Sequence, residues 1–306
     1  MKEARAKELK LFLLLIPIFA VISISGCSNT TGPTFGNGVS ILNWEPTFSS
    51  VESGDNLQLR IRIQNQGEVT AKNVRAFLTG INIDEWGFFG SNPSNFNELL
   101  PPDRVQGTEG QEKQDTFSLV APRLPKGTTQ TYSPQVRLYY DYKTTAVKAI
   151  TLVNENELKR LQDQGQTLTS TDTKVSSGPL KVTVNTGKFI KARETGFLYT
   201  NKFPITIDIQ NVGGGVVSYY NTPQDDYKVS VKLEFPSRLT NLDCGTFFGN
   251  TIMLWKGQDA SITCSVQISS PPLTTEEANI KVTLDYSYYI DRKTTVTVTG
   301  TDEGFF

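Results

Sequence analysis

One pattern is written twice in this chain. Leu57, Leu59, Ile61 and Ile63 alternate with Gln58, Arg60, Arg62 and Gln64, and the run closes on Gln64-Asn65-Gln66-Gly67. Alternation over this length is a strand with one wet face, and the Asn-x-Gly end is a turn. Phe203, Ile205, Ile207 and Ile209 repeat the phase and close on Gln210-Asn211-Val212-Gly213. Later marks recur at nearly the same offset. Val136, Leu138, Tyr140 and Tyr142 become Val282, Leu284, Tyr286 and Tyr288, and Thr144-Thr145 is echoed by Thr294-Thr295. Gly87-Phe88-Phe89-Gly90 matches Thr246-Phe247-Phe248-Gly249, and Gly110-Gln111-Glu112 matches Gly257-Gln258-Asp259. An ordered series at almost one spacing predicts a tandem duplication of an all-β unit. Each half holds short alternating segments separated by Gly, Pro, Asn or Asp, which predicts a β-sandwich.

The halves differ in readable ways. The first carries a longer loop around 91–109, rich in Asn, Pro, Ser and Gly. The second carries extra residues at 219–226 and a pair of cysteines. Between the halves, Asn154-Glu155-Asn156-Glu157 reads as an N-cap with Glu at the third helical position. Leu158 and Leu161 give a narrow apolar stripe and Gly165 a stop, so a short helix is expected, followed by a Thr/Ser-rich linker. The expected division is residues 1–26 as a signal segment, 27–38 as a tether, 39–150 and 179–300 as sandwiches, 151–178 as helix and linker, and 301–306 as a tail.

The N-terminus sets the compartment. A basic start and the apolar run of residues 11–22 lead into Ile24-Ser25-Gly26-Cys27. That order is an export signal, and its ending resembles a lipobox, the lipoprotein signal, which implies lipid attachment at Cys27. The run is short of the roughly 20 residues a permanent span needs; an uncleaved anchor is the alternative. Either reading puts the rest of the chain outside the cytoplasm, anchored at a membrane. Removal of residues 1–26 leaves 26 basic against 29 acidic side chains, a net of −3. That balance argues against a nucleic-acid protein, which would show a basic stripe. Cys244 and Cys264 then form an even pair in an exported chain, which predicts one disulfide.

Ile41, Pro46, Gly54, the Leu57–Ile63 strand, Asn65-x-Gly67 and Val74 follow the order seen in CARDB-type domains, which the first half resembles. The resemblance implies an immunoglobulin-like fold and a surface, adhesion or spacer role, and is nearly silent on activity.

Chemistry is sparse in this sequence. There is no histidine, which excludes Ser-His-Asp and Cys-His nucleophiles and His-based zinc sites. No Walker-type or dinucleotide glycine loop is present. The adjacent carboxylates Asp84-Glu85, Asp225-Asp226 and Glu276-Glu277 read as solvated turn or strand residues, with a loop calcium site at Asp225 or Asp226 as the sharper alternative. No enzymatic activity, cofactor or metal is expected. Trp86 and Phe96, which the second half does not repeat, are the candidate binding residues. Phe88 and Phe89 are expected to cap the sandwich. The expected function is thus a non-enzymatic, membrane-anchored surface lipoprotein with a structural, adhesive or partner-binding role. The alternative is a pair of carbohydrate-binding modules gripping glycan through Trp86 and Phe96. The partner is a protein or glycan at the cell surface.

Overall fold

The computed structural model describes residues 38–193, 202–218, 226–245 and 250–301. The leader, Cys27 and Phe247-Phe248 lie outside the described residues. The first half opens with β1 (Val39–Pro46), β2 (Ser50–Glu52), β3 (Asn56–Asn65) and β4 (Ala71–Thr79). There follow β5 (Ser94–Leu99), β6 (Glu112–Val120), β7 (Thr129–Tyr132) and the long β8 (Gln135–Asn154). Helix α1 (Glu155–Asp163) leads to β9 (Lys174–Val175), β10 (Leu180–Asn185) and β11 (Ile190–Ala192). The second half continues with β12 (Lys202–Asn211), β13 (Val216–Val217), β14 (Lys228–Glu234) and β15 (Leu239–Asp243). It ends with β16 (Thr251–Met253), β17 (Asp259–Ile268), β18 (Thr275–Lys293) and β19 (Val296–Thr299). Among the described residues the fold is all-β apart from α1, as expected.

Alternation becomes burial. In β3, Leu57, Leu59, Ile61 and Ile63 are all buried, and in β12 so are Ile205, Ile207 and Ile209. A fully buried side chain of this kind contributes about 1.5–3 kcal/mol. The sandwich-like arrangement has a large central sheet in the order β16-β14-β18-β8-β4-β5, flanked by β1-β3-β6 in the first half and β10-β12-β17-β15 in the second. One buried cluster runs through both halves.

The two Asn-x-Gly turns are built alike. Asn65 Nδ2 donates to the carbonyls of Val69 (2.8 Å) and Leu99 (2.9 Å), and its Oδ1 accepts from Gly67 N–H at 3.1 Å. Asn211 donates to the carbonyls of Gly215 and Gly257, both at 3.0 Å, and accepts from Gly213 N–H at 3.2 Å. The side chain replaces the ladder partners that the backbone loses at the turn, as Asx turns do. Gly213 has no room for a Cβ, which would collide with the Tyr288 hydroxyl.

The halves are joined by more than a linker. β8 and β18 pair antiparallel without a break from Gln135↔Lys293 to Val153↔Thr275. The ladder is interrupted at Ser133-Pro134 and resumes in the same register as Tyr132↔Val296 through Thr129↔Thr299. At its centre Asp141 faces Ser287, which is 146 residues away, the spacing of the sequence repeat itself. Tyr140 faces Tyr288, the counterpart of Tyr142, and Tyr142 faces Tyr286, the counterpart of Tyr140. The repeats therefore pair about a local two-fold axis, as the subunits of a symmetric dimer do. The end of β8, and β19 just after β18, each serve the other half. Val298 pairs in parallel with Val51 of β2, and its counterpart Leu152 pairs in parallel with Ile190 of β11.

This changes the expected division. The boundary at residues 150 and 151 falls inside β8, whose last residues pair with β18 and β11. The linker also returns to the sheet, since β9 pairs with Ala146 and Val147. The expected helix is present. Asn154 caps it by accepting from Asn156 N–H at 2.9 Å, and Leu158 and Leu161 pack with Val153 in a small satellite cluster. Residues 38–301 belong to one compact unit.

Candidate functional site

Four tyrosines surround the two-fold axis on the inner face of the central sheet. Tyr140 and Tyr288 stand 5.8 Å apart, and Tyr142 and Tyr286 6.3 Å. Each hydroxyl must find a partner when buried. Tyr142 Oη accepts from Val69 N–H at 3.2 Å and donates to the Ser177 carbonyl at 3.3 Å. Tyr288 Oη accepts from Gly215 N–H at 2.8 Å and donates to Asn211 Oδ1 at 2.9 Å. Tyr286 Oη bonds Thr144 Oγ1 at 2.8 Å. Burial pushes Tyr142 and Tyr288 up to about 12, and raises Tyr140 and Tyr286 well above the ordinary phenol range. These phenols stay neutral and lock the halves together. Lys148, at an inward position of β8, donates to Ser170 Oγ at 3.1 Å and to the Thr171 carbonyl, tying the segment after α1 to the sheet.

The outer face of the same sheet is half-exposed and mixed in chemistry. Tyr139 meets Tyr289 at 5.2 Å and Phe77 edge-on at 5.6 Å. Arg137 lies 4.1 Å from the Tyr289 ring centroid and bonds both oxygens of Asp291 at 2.8 Å. The Asp291 hydrogen bond raises the Arg137 pKa, so this guanidinium is a permanent cation. Beside this row the register of β4 shifts between Lys72 and Arg75, and Asn73 adopts φ 51°. The shift and the short Ser287 leave a groove of about 450 Å³ over the axis. Its lining includes Asn73, Arg75, Tyr139, Asp141, Asp285 and Ser287. Asp141 forms the floor, accepting from Asn73 Nδ2 at 2.5 Å and from Ser287 Oγ. Lys143 pairs with Asp285 at 3.1 Å on the rim.

The sequence-predicted binding residues are elsewhere. Trp86 is fully buried, edge-on to Tyr132 at 5.0 Å, and Phe96 is 6% exposed. Neither ring offers a face to a ligand, so the Trp86–Phe96 platform is corrected to two parts of the core. The inward phase of β5 buries Phe96 beside Ser94 and Leu99. The turn carrying Trp86 folds under the sandwich, where its backbone bonds Val120 N–H. Trp86 Nε1 has no hydrogen-bond partner among the described residues. Phe88 is partly buried and packs near Phe117 at 6.2 Å, whereas Phe89 is 66% exposed.

Cys244 and Cys264 are bonded to each other, the latter fully buried, across β17 and the end of β15. The carboxylate pairs are dispersed: Glu85 accepts from the Tyr132 hydroxyl and Glu276 pairs with Arg238. Asp225 is outside the described residues. Among the described residues no group of three or more His, Cys, Asp or Glu could hold a metal ion. Nor is any helix among them long and apolar enough to cross a membrane.

Sequence reasoning passed over Trp255, which is 71% exposed, with Met253 58% exposed. Trp255 sits on a tight hairpin closed by its N–H to the Asp259 carbonyl at 2.6 Å, with Lys256 and Gly257 both at positive φ. Trp255-Lys256 directly before the repeat mark Gly257-Gln258-Asp259 was the available signal. At the corresponding place the first half carries a longer loop with Leu100 and Val105 exposed.

No family model matches the chain, and no curated protein does. Among solved structures, the secreted serine protease VesC from Vibrio cholerae aligns with 88% of this chain at 12% identity and a TM-score of 0.22. The chain spans about half of that protein, 52% of its length. The CupB6 tip adhesin from Pseudomonas aeruginosa aligns with 87% of this chain and 99% of its own, at 8% identity and a TM-score of 0.19. Likenesses this faint carry neither fold nor activity to the chain.

Proposed function

We propose that the protein is a non-enzymatic lipoprotein of the cell surface, held at the membrane through Cys27, with a structural or partner-binding role in the envelope. The carrying observation is the fate of the three cysteines. One stands at the end of the leader after Ile24-Ser25-Gly26, and the other two are bonded to each other, as suits an oxidising compartment. In this reading each half is an immunoglobulin-like sandwich of the CARDB kind, and residues 27–38 are the tether. The carbohydrate-module alternative built on Trp86 and Phe96 loses its support, because both rings are buried.

The test is Cys27→Ser in the native host. The substituted chain is expected to leave the membrane fraction and to lack the mass of the lipid. A Cys27→Ser chain that stays equally membrane-bound at unchanged processing and mass would sink the reading. Acyl chains account for this anchoring when more than one is attached, since a single chain binds membranes marginally.

A further inference from the structure

We propose that the groove over the two-fold axis, on the outer face of the central sheet, is a binding site for a neutral sugar. This goes beyond the anchoring reading and does not depend on Cys27. Its size, about 450 Å³, falls within the roughly 300–1,000 Å³ of small-molecule sites.

The chemistry selects the ligand class. Half-exposed Tyr139 lines the groove, and the carbon surface of a phenol suits the C–H face of a pyranose. Besides Tyr140, Tyr142 and Tyr286 of the inner face, the lining interleaves an amide (Asn73), a guanidinium (Arg75), two carboxylates (Asp141, Asp285) and a hydroxyl (Ser287). Donors and acceptors so mixed suit a ligand whose hydroxyls both give and take hydrogen bonds. Charge argues the same way. Arg75 and Asp141 both line the groove with opposite charges, and Lys143 already pairs with Asp285, so the groove favours neither an anion nor a cation. Asp141 also has capacity left. It accepts from Asn73 and Ser287, while an ionised carboxylate offers about four acceptor sites. The position is fixed as well: the floor lies on β8 and β18, mid-ladder, so binding meets a preformed surface.

The experiment is saturation-transfer NMR on the full-length protein with cellobiose, maltose, lactose and N,N′-diacetylchitobiose at millimolar concentration. Glucuronic acid serves as the charged comparison, and circular dichroism checks the fold of each variant. At least one neutral disaccharide is expected to receive saturation and to outbind glucuronic acid. Tyr139→Ala is expected to weaken it about tenfold, the scale of one aromatic contact. Asn73→Gly tolerates the positive φ of that exposed position and is expected to weaken binding severalfold. It keeps the test decisive if Tyr139→Ala does not fold. The proposal is overturned if none of the four disaccharides receives saturation, if glucuronic acid binds best, or if binding survives the substitutions that fold.

Discussion

Asn65→Ala and Asn211→Ala form a matched pair that tests whether the halves fold as one. Asn65 is fully buried, and its amide serves two carbonyls and one N–H. Alanine leaves all three without a partner, at about 1 kcal/mol each and more where water cannot enter. The expected loss is about 3 kcal/mol. Asn211 makes the matching set and also accepts from Tyr288 but is only partly buried, so a comparable loss is expected. Urea denaturation followed by two probes separates the possibilities. Trp44 and Trp86 are buried in the first half while Trp255 is mostly exposed, so fluorescence reports mainly on the first half and far-UV circular dichroism on every strand. Because the ladder and the core are continuous across the halves, Asn211→Ala is expected to move both transitions together, by roughly 1 M urea for a slope of about 3 kcal/mol per molar. If Asn211→Ala leaves the fluorescence midpoint at its wild-type value while the dichroism transition splits, the halves unfold separately and the argument from the shared ladder fails.

Other expectations follow from the same contacts. Reducing the Cys244–Cys264 bond, or replacing both residues by Ala, is expected to cost about 3 kcal/mol for the 20-residue separation it closes; identical urea midpoints with and without reductant would contradict this. Burial raises the folded pKa of Tyr142 and Tyr288 to about 12, above the unfolded phenol value near 10. The unfolded state therefore loses those protons first, and stability is full below pH 10 and falls as the pH rises from 10 to 12. Tyrosinate absorbance should accordingly appear in these side chains only with unfolding, and ionisation near pH 10 with dichroism intact would refute the assignment. Phe96→Ala is expected to cost about 3 kcal/mol as a core truncation, whereas Trp255→Ala stays within about 0.5 kcal/mol, both read from thermal or urea midpoints.

The parts of the fold legible in the sequence are those that local period controls. The alternation of Leu57–Ile63 and its echo through Ile209, the Asx turns, the inward Tyr140 and Tyr142, the short helix and the cysteine pair all follow from neighbours in the chain. What escaped is non-local. Nothing in residues 135–154 states that they pair with 275–293, since a long alternating strand fits equally well in its own sandwich. The same limit governs the aromatics. Trp86 and Phe96 lack repeat counterparts, which made them look functional, yet burial depends on what packs over a loop. The groove was invisible for a similar reason: a register shift at Asn73 and a small residue at Ser287 act together only once β4, β8 and β18 are side by side.

The contact between Asp141 and Ser287 has a consequence for how such a molecule can vary. On a two-fold axis every residue meets its own counterpart, so a pair of identical repeats would set Asp against Asp or Ser against Ser at this spot. Two carboxylates there would repel, and two serines would lose the charge-assisted bond. One covalent chain escapes the restriction, because its two halves need not match residue by residue. The Asp–Ser pairing is a combination that a self-associating single repeat is unable to encode, and it places an asymmetric polar floor beneath the groove at the most symmetric point of the protein.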